Sequence, residues 1–171
     1  MQRPFPFDAL VPIDDSLKLR GWLEYLDLEE DQRSDVPPHL FAWFGSAQSW
    51  NSQRIGEISQ AIERVVMHCG TLFEGFDLLL TPVMPVVNFP ASEIGIDPAM
   101  PLRHCTFTAP FNQSGQPAVV LRAGFDTRGL PIGLQLAGRR FDDWTLLKVA
   151  TALESILLKN RPWPTRLLAN E

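Results

Sequence analysis

From Ser52 to Phe73 apolar residues recur at intervals of three and four: Ile55, Ile58, Ile62, Val65, Val66, Cys69, Leu72 and Phe73. That spacing makes one continuous stripe on a helix and fits no other regular structure. The middle of the chain is thereby committed to a long helix that must lie against something apolar. Ser52 is the expected N-cap, and Gly75 the stop signal after the last turn. Cys69 falls within the stripe, so it reads as a buried thiol and not a reactive one. Directly behind comes Asp77-Leu78-Leu79-Leu80-Thr81-Pro82, an apolar run too short for a helix and closed by proline. Such a run reads as a strand buried on both faces.

The remaining pattern extends this helix-then-strand theme. Val83 to Pro101 is a proline-containing loop with little periodicity, and Asn112 to Pro117, with Ser114-Gly115, reads as a helix end or tight turn. Ala118 to Leu121 and Ile132 to Ala137 are strand candidates, joined by hairpin-type turn chemistry in Phe125-Asp126-Thr127-Arg128-Gly129-Leu130. In the second of them Ile132, Leu134 and Leu136 alternate with Gly133, Gln135 and Ala137, so one face is small and close-packed. Asp142 is placed to cap a last helix, Asp143 to about Leu158, with Leu146, Leu147, Val149, Ala150, Leu153, Ile156 and Leu157 on its stripe. The expected class is α/β, a mixed β-sheet flanked by helices, with the helix around Ile62 and the one around Leu153 packed on it.

Residues 1–38 are set apart as an N-terminal extended and helical segment. Met1 to Pro12 suits an extended strip lying across another surface. Asp14 to Leu28 is the expected helix, capped by Asp14 or Asp15, with Leu17, Leu19, Trp22, Leu23 and Leu26 inward. Pro37-Pro38 then breaks the chain. Residues 39–160 form the α/β region, and 161–171 a tail, partly disordered beyond Trp163.

Composition excludes several functions. A chain of 171 residues with 45% hydrophobic residues and mean hydropathy -0.03 suits one soluble domain. Its net charge is -5 and its basic residues are scattered apart from Arg139-Arg140, so nucleic acid is not an expected partner. The acidic run from Asp27 to Asp35 reads as a solvated face. No long apolar run is present, so neither a signal peptide nor a membrane span is expected. Cys69 and Cys105 are far apart and in no CxxC spacing, which argues for a reduced, cytoplasmic compartment and against a disulfide framework or a zinc site.

Three blocks carry a resemblance. Phe76-Asp77-Leu78-Leu79-Leu80-Thr81-Pro82 is the first, and Phe107-Thr108-Ala109-Pro110-Phe111-Asn112-Gln113-Ser114-Gly115-Gln116-Pro117-Ala118 the second. The third is Gly129-Leu130-Pro131-Ile132-Gly133-Leu134-Gln135-Leu136-Ala137-Gly138, followed by Phe141-Asp142-Asp143. In this order and spacing they resemble the C-terminal part of the amidase signature family. The resemblance implies amide hydrolysis or transfer by a Ser-cisSer-Lys triad. One Ser hydroxyl attacks the carbonyl, a second relays the proton, and a neutral Lys is the ultimate base. It implies no metal and no cofactor.

The same resemblance places pocket candidates at Thr81, at the end of its strand, at His104, Cys105 and Thr106, and at Asn112, whose role with Gly115 is otherwise to shape a turn. In amidotransferase-type members a polar residue near Cys105 contacts the substrate's amine end. Those members carry an acidic residue there, so Cys105 counts against an amide such as glutamine. Arg122 is a second departure, standing where the family usually has proline. His104-Cys105 also suggests a nucleophilic pair, but neighbours on an extended segment point to opposite faces.

The catalytic residues themselves are not in the sequence. There is no Ser-Ser pair and no Gly/Ser-rich run, and the lysines are Lys18, Lys148 and Lys159. The expected function is therefore the C-terminal portion of an amidase, inactive alone. It would meet a small-molecule amide only together with the missing N-terminal half, and would self-associate or bind that half through an incompletely covered sheet. The alternatives are a non-catalytic interaction module on the same scaffold, or a subunit fragment of a tRNA-dependent amidotransferase.

Overall fold

The computed structural model describes residue 5 and residues 8–157. The expected tail at 161–171 and residues 1–4, 6 and 7 of the extended N-terminal strip lie outside the described residues. Among the described residues six α-helices, two short 3₁₀ turns and three strands follow one another: α1 (Leu10–Leu26), α2 (Glu30–Ser34), α3 (Pro38–Phe44), a turn at Gly45–Ser49, α4 (Ser52–Thr71), β1 (Leu78–Pro82), a turn at Pro101–Cys105, α5 (Ala109–Ser114), β2 (Ala118–Phe125), β3 (Pro131–Gly138) and α6 (Asp143–Leu157).

The apolar stripe becomes α4, with Ile58, Val65 and Cys69 buried. Its cap lies one residue earlier than expected. Asn51 is extended, and its Oδ1 accepts a hydrogen bond from the Arg54 N–H at 2.9 Å, satisfying an orphan donor of the first turn. The helix ends at Thr71, ahead of Gly75.

The N-terminal helix departs further from expectation. It begins at Leu10, not Asp14, and neither Asp14 nor Asp15 caps it. Asp8 does that work, its Oδ1 accepting from the Leu10 N–H at 3.1 Å. Pro12 falls in the first turn, where a missing N–H costs nothing. The buried face carries Leu10 and Ile13, with Leu19 and Trp22 half-buried, while Leu17, Leu23 and Leu26 are exposed. The rotation has an electrostatic cause. Asp14 is 1% exposed, 2.7 Å from Lys18 Nζ, and accepts from the Trp43 indole N–H at 3.1 Å. Asp15 pairs with Arg54. Buried carboxylates need partners, so the ion cluster fixes which side of α1 faces α3 and α4. Ala9 and Ile13 share one apolar cluster there with Val65 and Cys69.

The sheet has the order β1-β3-β2, with both pairs antiparallel. Leu80, Leu136 and Val119 stand in one row, and Thr81, Gln135 and Val120 in the next. The α/β class is as expected. Where a mixed sheet was expected, every pairing among the described residues is antiparallel. The crossover from β1 through α5 starts β2 in the same sense as β1, so the return strand of the β2–β3 hairpin runs antiparallel to both. Helix α6 covers one face through Leu146 and Ala150 on Leu121 and Leu136.

The other face is covered differently from the expectation that α4 would pack on it. Phe111 of α5 lies against Ala137 together with Phe73, while α4 packs on α5 and α1. The short helix stands between α4 and the strands, and the Cys69 thiol meets the Pro110 carbonyl at 3.5 Å. Two glycines make these approaches possible. Gly115 closes α5 at φ 71, a left-handed conformation that side chains resist. A Cβ on Gly133 would fall 2.6 Å from Val83 Cγ2, so the loop leaving β1 can pass only over a bare backbone.

Both outer strands have a neighbour on one side only among the described residues. Apolar residues are exposed on them, Leu80 at 52% and Val120 at 54%. Strand β2 runs straight through Arg122, opposite Gly133, and bulges before Gly124; the Arg122 guanidinium lies 4.7 Å over the Phe125 ring.

The hairpin turn is held by Asp126. Its Oδ1 accepts from the N–H groups of Leu130 at 2.8 Å and Arg128 at 2.9 Å, and its Oδ2 from Arg128 Nε at 2.9 Å. These bonds, the Leu130 amide first, hold the carboxyl below its ordinary range. A lowered folded value means a contribution present above the unfolded carboxylate's range and lost as pH falls through the folded one. Amide resonances of Arg128 and Leu130 should therefore shift in acid, at a midpoint below the ordinary carboxylate range, and the transition should vanish in Asp126→Ala. A midpoint in the ordinary aspartate range would contradict the geometry.

Candidate functional site

Thr81 is the last residue but one of β1, on the face toward α5 and opposite Gln135. Gln135 is 3% exposed, and its side-chain amide donates to Thr81 Oγ1 at 3.0 Å and to the Phe107 carbonyl at 2.9 Å. One amide thus pins β1, β3 and the segment before α5 to one another. Because Thr81 accepts in this bond, its own hydroxyl proton is left to donate elsewhere.

The space it faces is a cavity of 370 Å³ whose apolar walls are Phe5, Phe107 and Phe111 and whose polar lining is Thr81, Thr106, Asp8 and Arg103. The Thr106 hydroxyl donates to the Arg103 carbonyl at 2.6 Å, fixing the turn that carries Arg103. A second, more open groove of 590 Å³ runs along the loop after β1 and the hairpin, between Val83, Pro85, Val87, Val120 and Ile132.

Of the residues expected from the sequence, Thr81 and Thr106 line the cavity. His104, Cys105 and Asn112 do not. His104 Nδ1 faces the Pro101 carbonyl at 2.8 Å and its ring packs on Phe89 at 5.3 Å. Asn112 is exposed on α5. His104 and Cys105 sit in a 3₁₀ turn and not on the extended segment that the sequence suggested. Desolvation pushes the half-buried Cys105 thiol up in pKa, only partly opposed by a hydrogen bond with Thr108. Burial does the same to Cys69. Neither thiol is poised as a thiolate nucleophile.

Among the described residues the lysines offer no base either. Lys18 Nζ is engaged by Asp14 and, at 3.8 Å, by Asp15, and Lys148 is exposed on α6. No group of three His, Cys, Asp or Glu residues capable of holding a metal occurs among the described residues. Sequence reasoning missed Gln135, although a lone polar side chain on the buried alternation of β3 was its signal. It also missed Phe5, Asp8 and Arg103, for which the sequence holds none.

Comparison with known proteins places this geometry in context. The family model described as Amidase matches residues 35–147. A glutamyl-tRNA(Gln) amidotransferase subunit from Parvibaculum lavamentivorans is 45% identical over 82 residues, 48% of this chain but 17% of the relative's own length. A crystal structure of an amidase superposes with a TM-score of 0.76 at 18% identity, over 87% of this chain and 35% of that one. The structure of 6-aminohexanoate cyclic dimer hydrolase does so with 0.71 at 22% identity, over 91% and 36%. At such identities the superpositions show a shared fold, and in each case this chain accounts for a minor part of the larger protein. The motif blocks, the sheet they build and a family match over well over half of its residues agree, and the chain belongs to the amidase family.

Proposed function

We propose that this chain supplies sheet and substrate-pocket wall to an amide hydrolase whose nucleophile, relay and base reside on another segment. The observation that carries the reading is the cavity at Thr81. Thr81, Phe107 and Phe111 of its lining belong to the family's motif blocks, yet no hydroxyl–base or thiol–base pair faces it among the described residues. The amide carbonyl would accept from the Thr81 hydroxyl while the apolar walls hold the body of the substrate. The open groove by Val120, with the unpaired edges of β1 and β2, would meet the catalytic segment or a second copy. Thr81 and Thr106 are then pocket residues, with His104, Cys105 and Asn112 shaping the turns around them. Free cysteines suit a cytoplasmic site of action.

A second reading, as part of a tRNA-dependent amidotransferase, is favoured by the names of the curated relatives. Cys105 in place of an acidic residue counts against it.

The test uses the purified chain alone and mixed with a family segment carrying the Gly/Ser-rich nucleophile region, against aryl and aliphatic amides and against glutamine. Hydrolysis is expected only in the mixture, and Cys105→Ala should leave it unchanged. Turnover by the chain alone, abolished by Cys105→Ala, would overturn the proposal. Glutamine-dependent transfer in the mixture would favour the second reading.

A further inference from the structure

We infer that the cavity beside Thr81 takes a ligand carrying a carboxylate on an aromatic or apolar body, with Arg103 as the residue that selects it. This rests on the reading of the cavity as a substrate pocket and adds the class of amide it would accept. The rings of Phe5, Phe107 and Phe111 define an apolar body. Arg103 supplies the positive charge, and its fork is incompletely used. Among the described residues the side chain makes one hydrogen bond, from Nη1 to Asp8 Oδ2 at 3.1 Å, while Nε lies 3.6 Å from Asp97 Oδ2. Neither contact is bidentate, whereas a guanidinium matches a carboxylate with two parallel N–H···O bonds.

The two aspartates are occupied elsewhere. Asp8 Oδ1 accepts from the Leu10 N–H at 3.1 Å, and Asp97 Oδ1 from the Ala99 N–H at 2.9 Å. Each gives one oxygen to its own backbone and turns the other toward Arg103. A cationic ligand would therefore compete with Arg103 for oxygens already in use, while an anionic ligand meets a donor fork with capacity left. Both existing pairs are partly exposed, so little holds them together. Asp8 stands where the ligand's carboxylate would bind, and it can yield without unwinding α1 because its other oxygen keeps the cap.

The test measures binding of 3-phenylpropanoate, 3-phenylpropanamide and 2-phenylethylamine to the purified chain by ligand-observed NMR titration. The carboxylate should bind about tenfold more tightly than the amide, the gain of one charge-assisted pair, and the amine no better than the amide. Asp8→Asn keeps the acceptor for the Leu10 N–H and removes the competing charge, so it should tighten the carboxylate about threefold and leave the amide unchanged. Arg103→Gln should reduce the carboxylate to the level of the amide, with circular dichroism confirming the fold. Equal affinities for the three probes, no binding by any, or a weaker carboxylate in Asp8→Asn would overturn the inference. A failed activity test in the mixture would sink the amidase reading and leave this charge preference standing, whereas equal probe affinities would do the reverse.

Discussion

Phe111→Ala is expected to cost about 3–5 kcal/mol of folding stability, a large share of the ~5–15 kcal/mol that holds a typical domain together. Phe111 is 1% exposed and is the side chain through which the six-residue α5 reaches the sheet, against Ala137 and edge-on to Phe73 at 6.4 Å between ring centroids. Alanine removes that contact and leaves a void. One side of the ring already borders the 370 Å³ cavity, so the void would merge with it and could not close by a small inward shift. Alanine's better helix propensity offsets a few tenths of a kcal/mol at most. Urea unfolding followed by tryptophan fluorescence reads the change as a lower midpoint at unchanged slope. A loss below ~1 kcal/mol would mean that α5 is held by something other than this ring.

Gln135→Met should cost about 2–4 kcal/mol. Methionine keeps the length and nearly the volume of glutamine, so packing changes little. What disappears is the amide that donates to Thr81 Oγ1 and to the Phe107 carbonyl. Each orphaned buried acceptor costs about 1–3 kcal/mol, with Thr81 toward the low end because its hydroxyl borders the cavity, where water can reach it. A double-mutant cycle with Thr81→Val isolates the pair. If the bond is formed, the double variant is less destabilised than the sum of the single ones, by about 1 kcal/mol. Strict additivity would show that the two side chains do not interact.

Local pattern made the regular elements legible. The stripe from Ile55 to Cys69 became α4, Leu78 to Thr81 became β1, and the turn at Asp126 joined two strands as its chemistry required. The start of α1 was not legible, because its direction is set by Asp14 and Asp15 meeting Trp43 and Arg54, partners that no local periodicity reveals. The packing of α4 was misread for a similar reason. Its stripe announces an apolar neighbour without saying which, and the six residues of α5 are too few to show a period of their own. The candidate site divided in the same way. Thr81 lies in a motif block and Thr106 directly before one, whereas Asp8 meets Arg103 across ninety-five positions of sequence. Adjacency in sequence put His104 and Cys105 forward together, and a 3₁₀ turn gave each a neighbour of its own.

The last strand of the described residues lies in the middle of the sheet. Its hairpin with β2 is local and can zip within microseconds, but β1 must wait for a partner far along the chain, with Leu78 opposite Gly138. Closing so long a loop adds little free energy beyond a shorter one, since the entropy grows only with the logarithm of length. It does raise contact order, and with it the folding time. On the ribosome the Leu78-Leu79-Leu80 run emerges well before the residues that will cover it. During that interval its backbone donors and acceptors are open to any passing strand, which makes this stretch of synthesis the point at which a holding chaperone has most to protect.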